Sequence, residues 1–169
     1  AGGVGDYADL ARAVRSLGEA GASFVGVNPI HAGFPGDPGA FSPYSPSHRR
    51  RFNVLHIATH EAEPPGEPLI DYAAVRERKL AALESTYANF HDAGENLAFE
   101  TWRAAEGDAL ESFAVHQALS ERHGPYWSGW PAALQGPGAP EVAAFAGEAA
   151  DRVAYHAWVQ WRAVNQLAA

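Results

Sequence analysis

The stretch Ser23-Phe24-Val25-Gly26-Val27-Asn28-Pro29 decides the fold that the sequence predicts. It is a short run rich in apolar and β-branched residues, and a proline closes it. Such a run is typical of a strand buried on both faces of a parallel sheet. A helix is predicted before it, from Asp6 to Glu19, because apolar residues recur there at helical spacing: Leu10, Val14 and Leu17. Asp6 is placed as the N-cap of this helix. A helix followed by such a strand indicates an α/β fold.

After this strand the chain divides into a proline-rich part and a helical part. Eight of the twelve prolines precede residue 69, and none lies between residues 69 and 124. The glycines and prolines of residues 30–47 predict a long irregular loop, and Phe52–Ile57 is a second strand candidate. Three helical regions are predicted after it: 70–91, 96–123 with a break at Gly107, and 142–167.

Composition excludes several classes of protein. The 169 residues are 47% hydrophobic, which excludes a disordered chain, and the absence of cysteine excludes disulfides, thiol catalysis and thiolate metal sites. The formal net charge of −8, with Lys79 as the single lysine, argues against a nucleic-acid or anionic-membrane surface. No apolar run approaches the roughly 20 residues of a membrane span. We therefore expect a soluble, cytoplasmic protein without a cofactor.

The loop that follows the first predicted strand is the main candidate for a binding site. Ligands of α/β proteins bind in loops at the carboxyl ends of strands. Tyr44 lies between two prolines and should be held stiffly, and a fixed aromatic ring beside hydroxyls and an amide suits a sugar. The alternative is a surface loop whose tyrosine packs on its own prolines. The chemistry-bearing side chains of the segment are Asn28, His31, Asp37, Ser42, Tyr44, Ser45 and Arg49.

Other motifs favour structural roles. His56 and His60 have the i, i+4 spacing of two metal ligands on a helix, but their surroundings predict strand and loop, so no metal site is expected. His156 and Gln160 lie on an apolar stripe of the last helix and are interpreted as core residues whose polar atoms are hydrogen-bonded. The Arg49-Arg50-Arg51 run is interpreted as a solvated or salt-bridged patch rather than an anion site. Gly3-Val4-Gly5-Asp6 lacks the third glycine of a phosphate-binding turn.

Several motifs together carry a family resemblance. Gly3-Val4-Gly5-Asp6-Tyr7-Ala8-Asp9-Leu10, Asn28-Pro29-Ile30-His31-Ala32 and Ser42-Pro43-Tyr44-Ser45-Pro46-Ser47 occur in this order. Trp127-x-x-Trp130-Pro131 and His156-Ala157-Trp158-Val159-Gln160-Trp161 follow in the helical part. The sequence resembles the bacterial 4-α-glucanotransferases, also called amylomaltases or disproportionating enzymes. Two positions depart from the pattern: Arg51 replaces a usual aromatic residue, and His56-Ile57-Ala58 replaces a usual Tyr-Ile-Asp.

The resemblance implies a (β/α)₈ barrel with helical insertions and a retaining transfer of α-1,4-glucan segments between maltooligosaccharides, with glucose as an acceptor. It implies that Tyr44 lies against the glucosyl unit at the cleavage point. Ser42, Ser45 and Asn28 would position the loop or bind sugar hydroxyls, and His31 is a further candidate. The catalytic carboxylates belong to later barrel strands, which we expect beyond Ala169.

We therefore expect an internal fragment of such an enzyme, α/β in class. Residues 1–62 would form the first βα units of a partial barrel, with the substrate loop at 30–50, and residues 63–169 a helical insertion. The alternative is a non-catalytic carbohydrate-binding or helical interaction module that keeps the loop. Strand-end acids in a continuation of the reading frame would distinguish the two.

Overall fold

The computed structural model describes residues 4–34, 36–37, 39–59, 69–94 and 96–169. The first helix, α1, runs over Tyr7–Glu19 and confirms the predicted helix and its cap. The Asp6 carboxylate accepts the Asp9 amide at 2.8 Å, and the Asp9 carboxylate accepts the Asp6 amide at 3.2 Å. This reciprocal capping box satisfies amides that the first helical turn leaves unpaired.

The predicted strand over Ser23–Pro29 is wrong for the described chain. No described residue pairs with this segment as a strand, and the side chains of Phe24 and Val27 are 88% and 54% exposed. A parallel strand is stable only between neighbouring strands and under covering helices, and the described residues supply neither. The segment keeps the sequence of a buried strand without the partners that such a strand needs.

The described sheet has two strands, and of their residues only Phe52 falls within a predicted strand. β1 covers His31–Ala32 and pairs antiparallel with β2, His48–Phe52. The second predicted strand, Phe52–Ile57, is therefore mostly wrong, because Val54–His56 forms a 3-10 turn. The Asn53 side chain accepts the Leu55 amide at 3.1 Å, which favours this turn over an extended ladder.

Five further helices follow, and most of the described chain is helical. They are α2 (Tyr72–Asp92), α3 (Leu97–Glu106), α4 (Asp108–His123), α5 (Pro140–Glu148) and α6 (Ala150–Leu167). The predicted break at Gly107 is confirmed, because this residue has φ 59° and ψ −152°, a conformation that is nearly restricted to glycine. The last predicted helix is two helices, since the backbone leaves helical geometry at Ala149. Short 3-10 turns cover Trp127–Gly129 and Ala132–Leu134.

Helix α6 is the centre of the core. Its residues Ala157, Trp158 and Val159 are at most 2% exposed, and α1, α2, α3, α4, α5 and β2 all contact it. Apolar side chains from the surrounding helices complete the core, among them Leu83, Phe99, Leu110 and Leu119. A helix that is apolar on more than one face is buried between partners rather than on a surface, as α6 is.

Two glutamines of α6 hold the segment that follows β2. The Gln160 side chain accepts the Phe52 amide and donates to the Phe52 carbonyl, both at 2.9 Å. Gln166 does the same for Ala58, at 2.7 and 3.1 Å. Between them, Lys79 donates to the Ile57 carbonyl at 3.0 Å and is itself buried. Residues 52–58 are thereby fixed against the helices by their backbone groups.

The fold prediction is correct in part. The described residues are mostly helical with two short strands, and they show no barrel. The predicted boundary between residues 62 and 63 lies outside the described residues. Within the described parts of the chain, no helix has the length and apolar character needed to cross a bilayer.

Candidate functional site

Asn28 and Tyr44 lie together on the surface. The Tyr44 hydroxyl donates to Asn28 Oδ1 at 2.9 Å, although sixteen residues separate the two in sequence. The Tyr44 side chain is 68% exposed, so most of the ring surface is accessible to a ligand. The structure therefore brings two of the predicted site residues into contact and fixes the ring at its hydroxyl end.

The base of the loop is closed by the β1–β2 pair. The Ser47 hydroxyl donates to the Ala32 and Gly33 carbonyls at 3.1 and 2.5 Å, and the Ser47 amide donates to the Ala32 carbonyl at 2.8 Å. Asn53 donates its amide to the Ile30 carbonyl at 2.9 Å. These hydrogen bonds join the two ends of the loop, so the loop begins and ends at the β1–β2 pair.

The remaining predicted site residues lie near this pair at different depths. Ser42 and Ser45 are exposed, and the Ser45 amide donates to the Ser42 carbonyl at 3.3 Å, so Tyr44 lies in a tight turn. His31 is partly buried in β1. Asn28, His31 and Ser42 line one cavity, whereas Tyr44 and Ser45 do not.

This cavity has a volume of about 820 Å³ and is lined by residues of both the loop and the helices. Phe41 and Ser42 line it from the loop, and Leu10 and Val27 line it near α1. The helices α2, α4 and α6 contribute aromatic and charged side chains to the wall: Tyr72, Glu84, Phe113, Glu121, Arg152, Tyr155 and His156.

An ion cluster forms part of the cavity wall that the helices contribute. Arg152 binds both carboxylate oxygens of Glu121 at 2.5 Å and also binds Glu84 at 2.6 Å. His156 Nε2 lies 3.2 Å from Glu121 Oε1. Burial alone would raise the pKa of Glu121, but the hydrogen bonds from Arg152 and His156 outweigh burial and lower that pKa to about 2. Arg152 pairs with both glutamates, and the cluster ties three helices together.

Sequence reasoning missed this cluster. Its members come from three helices, and periodicity along one helix does not show which side chains face each other across a bundle. The only local signal is the i, i+4 spacing of Arg152 and His156, which places both on the same face of α6. The predicted burial of His156 is confirmed, because its side chain is 7% exposed, and this side chain faces Glu121.

Aromatic contacts join the loop to the helical part at two points. The Phe41 and Tyr72 rings stack with centroids 4.5 Å apart and planes inclined by 2°. The Tyr126 hydroxyl donates to Asp37 Oδ2 at 2.9 Å, and the Tyr126 ring packs against Phe34 with centroids 5.1 Å apart. The Gly39 amide and then the Tyr126 hydroxyl lower the pKa of Asp37 from its usual value. The loop is thus held from both α2 and the segment after α4.

The other sequence motifs have structural explanations. Arg51 is buried and binds Glu106 at 2.6 Å, while Arg49 and Arg50 are exposed, which agrees with a salt-bridged and solvated patch. The Asp6 carboxylate already occupies the N-terminus of α1, where a phosphate would have to bind. His60 lies outside the described residues. Among the described residues, no three His, Asp or Glu side chains group as metal ligands.

Comparison with known proteins identifies the family. The sequence model of the 4-alpha-glucanotransferases, glycoside hydrolase family 77, matches residues 1–169, and the chain belongs to this family. The 4-alpha-glucanotransferases of Mycobacterium tuberculosis and Mycobacterium bovis are each 36% identical to it, over 98% of this chain and 27% of their own length. That of Haemophilus influenzae is 26% identical, over 99% of this chain and 29% of its own length. The chain thus spans just over a quarter of these relatives.

Proposed function

We propose that this chain is part of a 4-alpha-glucanotransferase that moves α-1,4-glucan segments between maltooligosaccharides, with glucose as one acceptor. Family membership supports the activity class. The observation that carries the proposal is the exposed Tyr44 ring, held at its hydroxyl by Asn28. An aromatic ring fixed in this way offers the apolar surface on which a glucosyl ring stacks.

The polar groups around Tyr44 suit the hydroxyls of the same sugar. Ser42 and Ser45 are exposed in the same turn as Tyr44, and each hydroxyl can donate and accept. Asn28 accepts from Tyr44 with Oδ1 and keeps its amide protons for a ligand. His31 lies deeper, in the cavity wall, where it can meet a sugar that enters from the loop side.

The bond-breaking groups belong, in this proposal, to the remainder of the parent protein. A retaining mechanism needs one carboxylate as nucleophile and a second carboxyl group that serves first as acid and then as base, about 5 Å apart. Glu84 and Glu121 line the cavity, but Arg152 neutralises both, so neither suits a nucleophile or a proton donor. In this proposal the described part of the chain contributes one wall of the substrate site, and neither of these two glutamates acts as a catalytic acid.

The barrel predicted from the resemblance is likewise a proposal about the parent. The exposure of Phe24 and Val27 supports it, because a strand-like apolar segment without neighbours has surface to bury. In the parent, this segment would pair with strands from elsewhere in the polypeptide. The carboxyl end of this segment would then place Asn28 and the loop at the substrate site, which this chain would form together with the rest of the parent.

Substitution of Tyr44 in the full-length protein tests the proposal. Tyr44→Ala should lower kcat/KM for glucan transfer from maltotriose by about tenfold to a hundredfold, because the stacking surface is lost. Tyr44→Phe keeps the ring and loses only the bond to Asn28, so it should retain most activity. Trp127→Ala removes another exposed aromatic residue, 54% exposed and distant in sequence from the loop, and is the matched control.

Three outcomes of this experiment are informative. Unchanged turnover in Tyr44→Ala would remove Tyr44 from the site. Loss of activity in Trp127→Ala as well would point to general destabilisation. If the full-length protein binds maltooligosaccharides and transfers nothing, the chain belongs to a non-catalytic binding module, and the enzyme proposal is wrong.

A further inference from the structure

The loop that carries Tyr44 is held by the helical part as well as by its own strands. Phe41 immediately precedes Ser42 and is three residues from Tyr44, and its ring stacks on Tyr72 at the start of α2. On the other side of Gly39, Asp37 binds Tyr126. Both partners of the loop are tyrosines that the family motifs around Tyr44 do not include.

Such external contacts matter because the loop has little structure of its own. Its glycines have large conformational freedom, and ordering them costs free energy that the loop's few internal hydrogen bonds do not offset. Residues 36–37 and 39–47 form no strand, and the β1–β2 pair closes the loop at its base. Contacts of Phe41 and Asp37 with the helical part are therefore expected to order the loop, and with it the Tyr44 ring, before substrate binds.

The orientation of the rings argues against a direct role for Tyr72 in sugar binding. Phe41 and Tyr72 face each other nearly in parallel, so each ring uses one face on the other. Tyr72 is 39% exposed and Phe41 is 60% exposed, whereas Tyr44 is 68% exposed and touches its partner only through the hydroxyl. The Tyr72 ring is thus engaged with the loop, and the Tyr44 ring is the accessible one.

We propose that Tyr72 and Tyr126 are positioning residues, which hold the loop from the helical part so that Tyr44 is preorganised for a glucosyl unit. The inference rests on the proposed function and assigns a role to the helices in it. The two contacts lie on opposite sides of Gly39 in the sequence. Together they fix the loop relative to α2 and to the segment after α4. Preorganisation of this kind lowers the entropy that substrate binding must remove.

The activity test compares Tyr72→Ala with Tyr72→Phe in the full-length protein. Tyr72→Ala should lower kcat/KM for maltotriose transfer by about two- to tenfold, mostly through a higher KM, and Tyr72→Phe should restore the wild-type value because the stack needs only the ring. Tyr126→Phe, which loses only the bond to Asp37, should also raise KM. In a Tyr44→Ala background, Tyr72→Ala should have little further effect, since Tyr72 acts through Tyr44.

A second measurement follows the loop itself. Hydrogen exchange of the loop peptide over residues 39–47 should accelerate in Tyr72→Ala and not in Tyr72→Phe, while peptides from α4 and α6 exchange as in the wild type. Faster exchange throughout the molecule would show a general loss of stability and would overturn the positioning role. Unchanged exchange of the loop in Tyr72→Ala would overturn it as well.

Failure of this inference differs from failure of the proposed function. If Tyr44→Ala abolishes transfer but Tyr72→Ala leaves KM and loop exchange unchanged, the positioning role is wrong and the function stands. If the effects of Tyr72→Ala and Tyr44→Ala on kcat/KM multiply in the double variant, Tyr72 acts independently of Tyr44. If the wild-type protein transfers no glucan, the proposed function is wrong whatever the loop does.

Discussion

At the scale of single residues, Gln160 shows how a polar side chain belongs in an apolar core. It is 1% exposed, and its amide forms two hydrogen bonds with the backbone of Phe52. The sequence indicates that a buried glutamine must find partners, because an unpaired amide in a core is costly. It does not indicate which ones, since the partner lies 108 residues away.

Gln160→Leu tests this contact. The leucine fills a similar volume but leaves the Phe52 amide and carbonyl without their partner, so the free energy of unfolding should fall by about 1–3 kcal/mol. Urea unfolding followed by far-UV circular dichroism measures the change. Asn165→Leu, at an exposed position of the same helix, is the control and should change stability by less than about 0.5 kcal/mol. Equal effects of the two substitutions would contradict the role of Gln160.

At the scale of elements, local signals were reliable and non-local ones were not. The cap at Asp6 and the break at Gly107 depend on bonds and dihedral angles within a few residues, and both are found as predicted. The strand over Ser23–Pro29 depends on neighbours that the described chain does not provide. The last predicted helix divides at Ala149, two residues after Gly147, and the apolar periodicity that predicted one helix continues across this break.

The ion cluster that joins α2, α4 and α6 makes stability depend on pH. Glu121 has a pKa of about 2 in the folded chain, against 4.5 for an ordinary glutamate. Its folded pKa is the lower one, so its contribution is fully present above about pH 5 and is lost as the pH falls toward 2. Because its side chain is 34% exposed, we expect on the order of 1–2 kcal/mol at neutral pH.

Glu121→Gln separates this effect from general acid unfolding. The variant should be less stable than the wild type at pH 7. The difference should largely disappear near pH 2, where the wild-type carboxyl is about half protonated in the folded chain and almost fully protonated in the unfolded chain. Thermal unfolding over this pH range measures it. Glu148→Gln, at an exposed position of α5, is the control, and its stability should vary with pH as that of the wild type does. A difference for Glu121→Gln that is the same at every pH would exclude the ionised carboxylate as its source.

At the scale of the whole molecule, the site was predictable only where sequence neighbours form it. The Tyr44 turn and its closeness to Asn28 follow from two motifs around one loop. The contacts from Tyr72 and Tyr126 join parts of the chain that are 31 and 89 residues apart, which no spacing rule connects. The helical part thus contacts the loop of the candidate site at points that its sequence does not indicate.

The apolar surface of this chain gives the last prediction. Val14 and Leu17 of α1 are each 45% exposed, and Phe24 and Val27 are more exposed still. Leu10 and Val27 line the same cavity, so α1 and the extended segment are neighbours. A soluble monomer rarely leaves such a continuous apolar surface open. If the parent polypeptide normally covers it, the chain produced alone should self-associate, and sedimentation velocity should show concentration-dependent oligomers.

Charged residues on this face should then have opposite effects in the isolated chain and in the full-length protein. The double variant Val14→Glu/Leu17→Glu should make the isolated chain more monomeric, because the exposed face of α1 becomes polar and glutamate is a good helix former. In the full-length protein the same substitutions should lower stability, since the glutamates would be buried against the remaining polypeptide. Leu97→Glu, at an apolar side chain 81% exposed at the start of α3, is the control and should change neither property. A full-length protein that tolerates the double variant without loss of stability would show that α1 faces solvent there too, and the covering of this face by barrel elements would have to be abandoned.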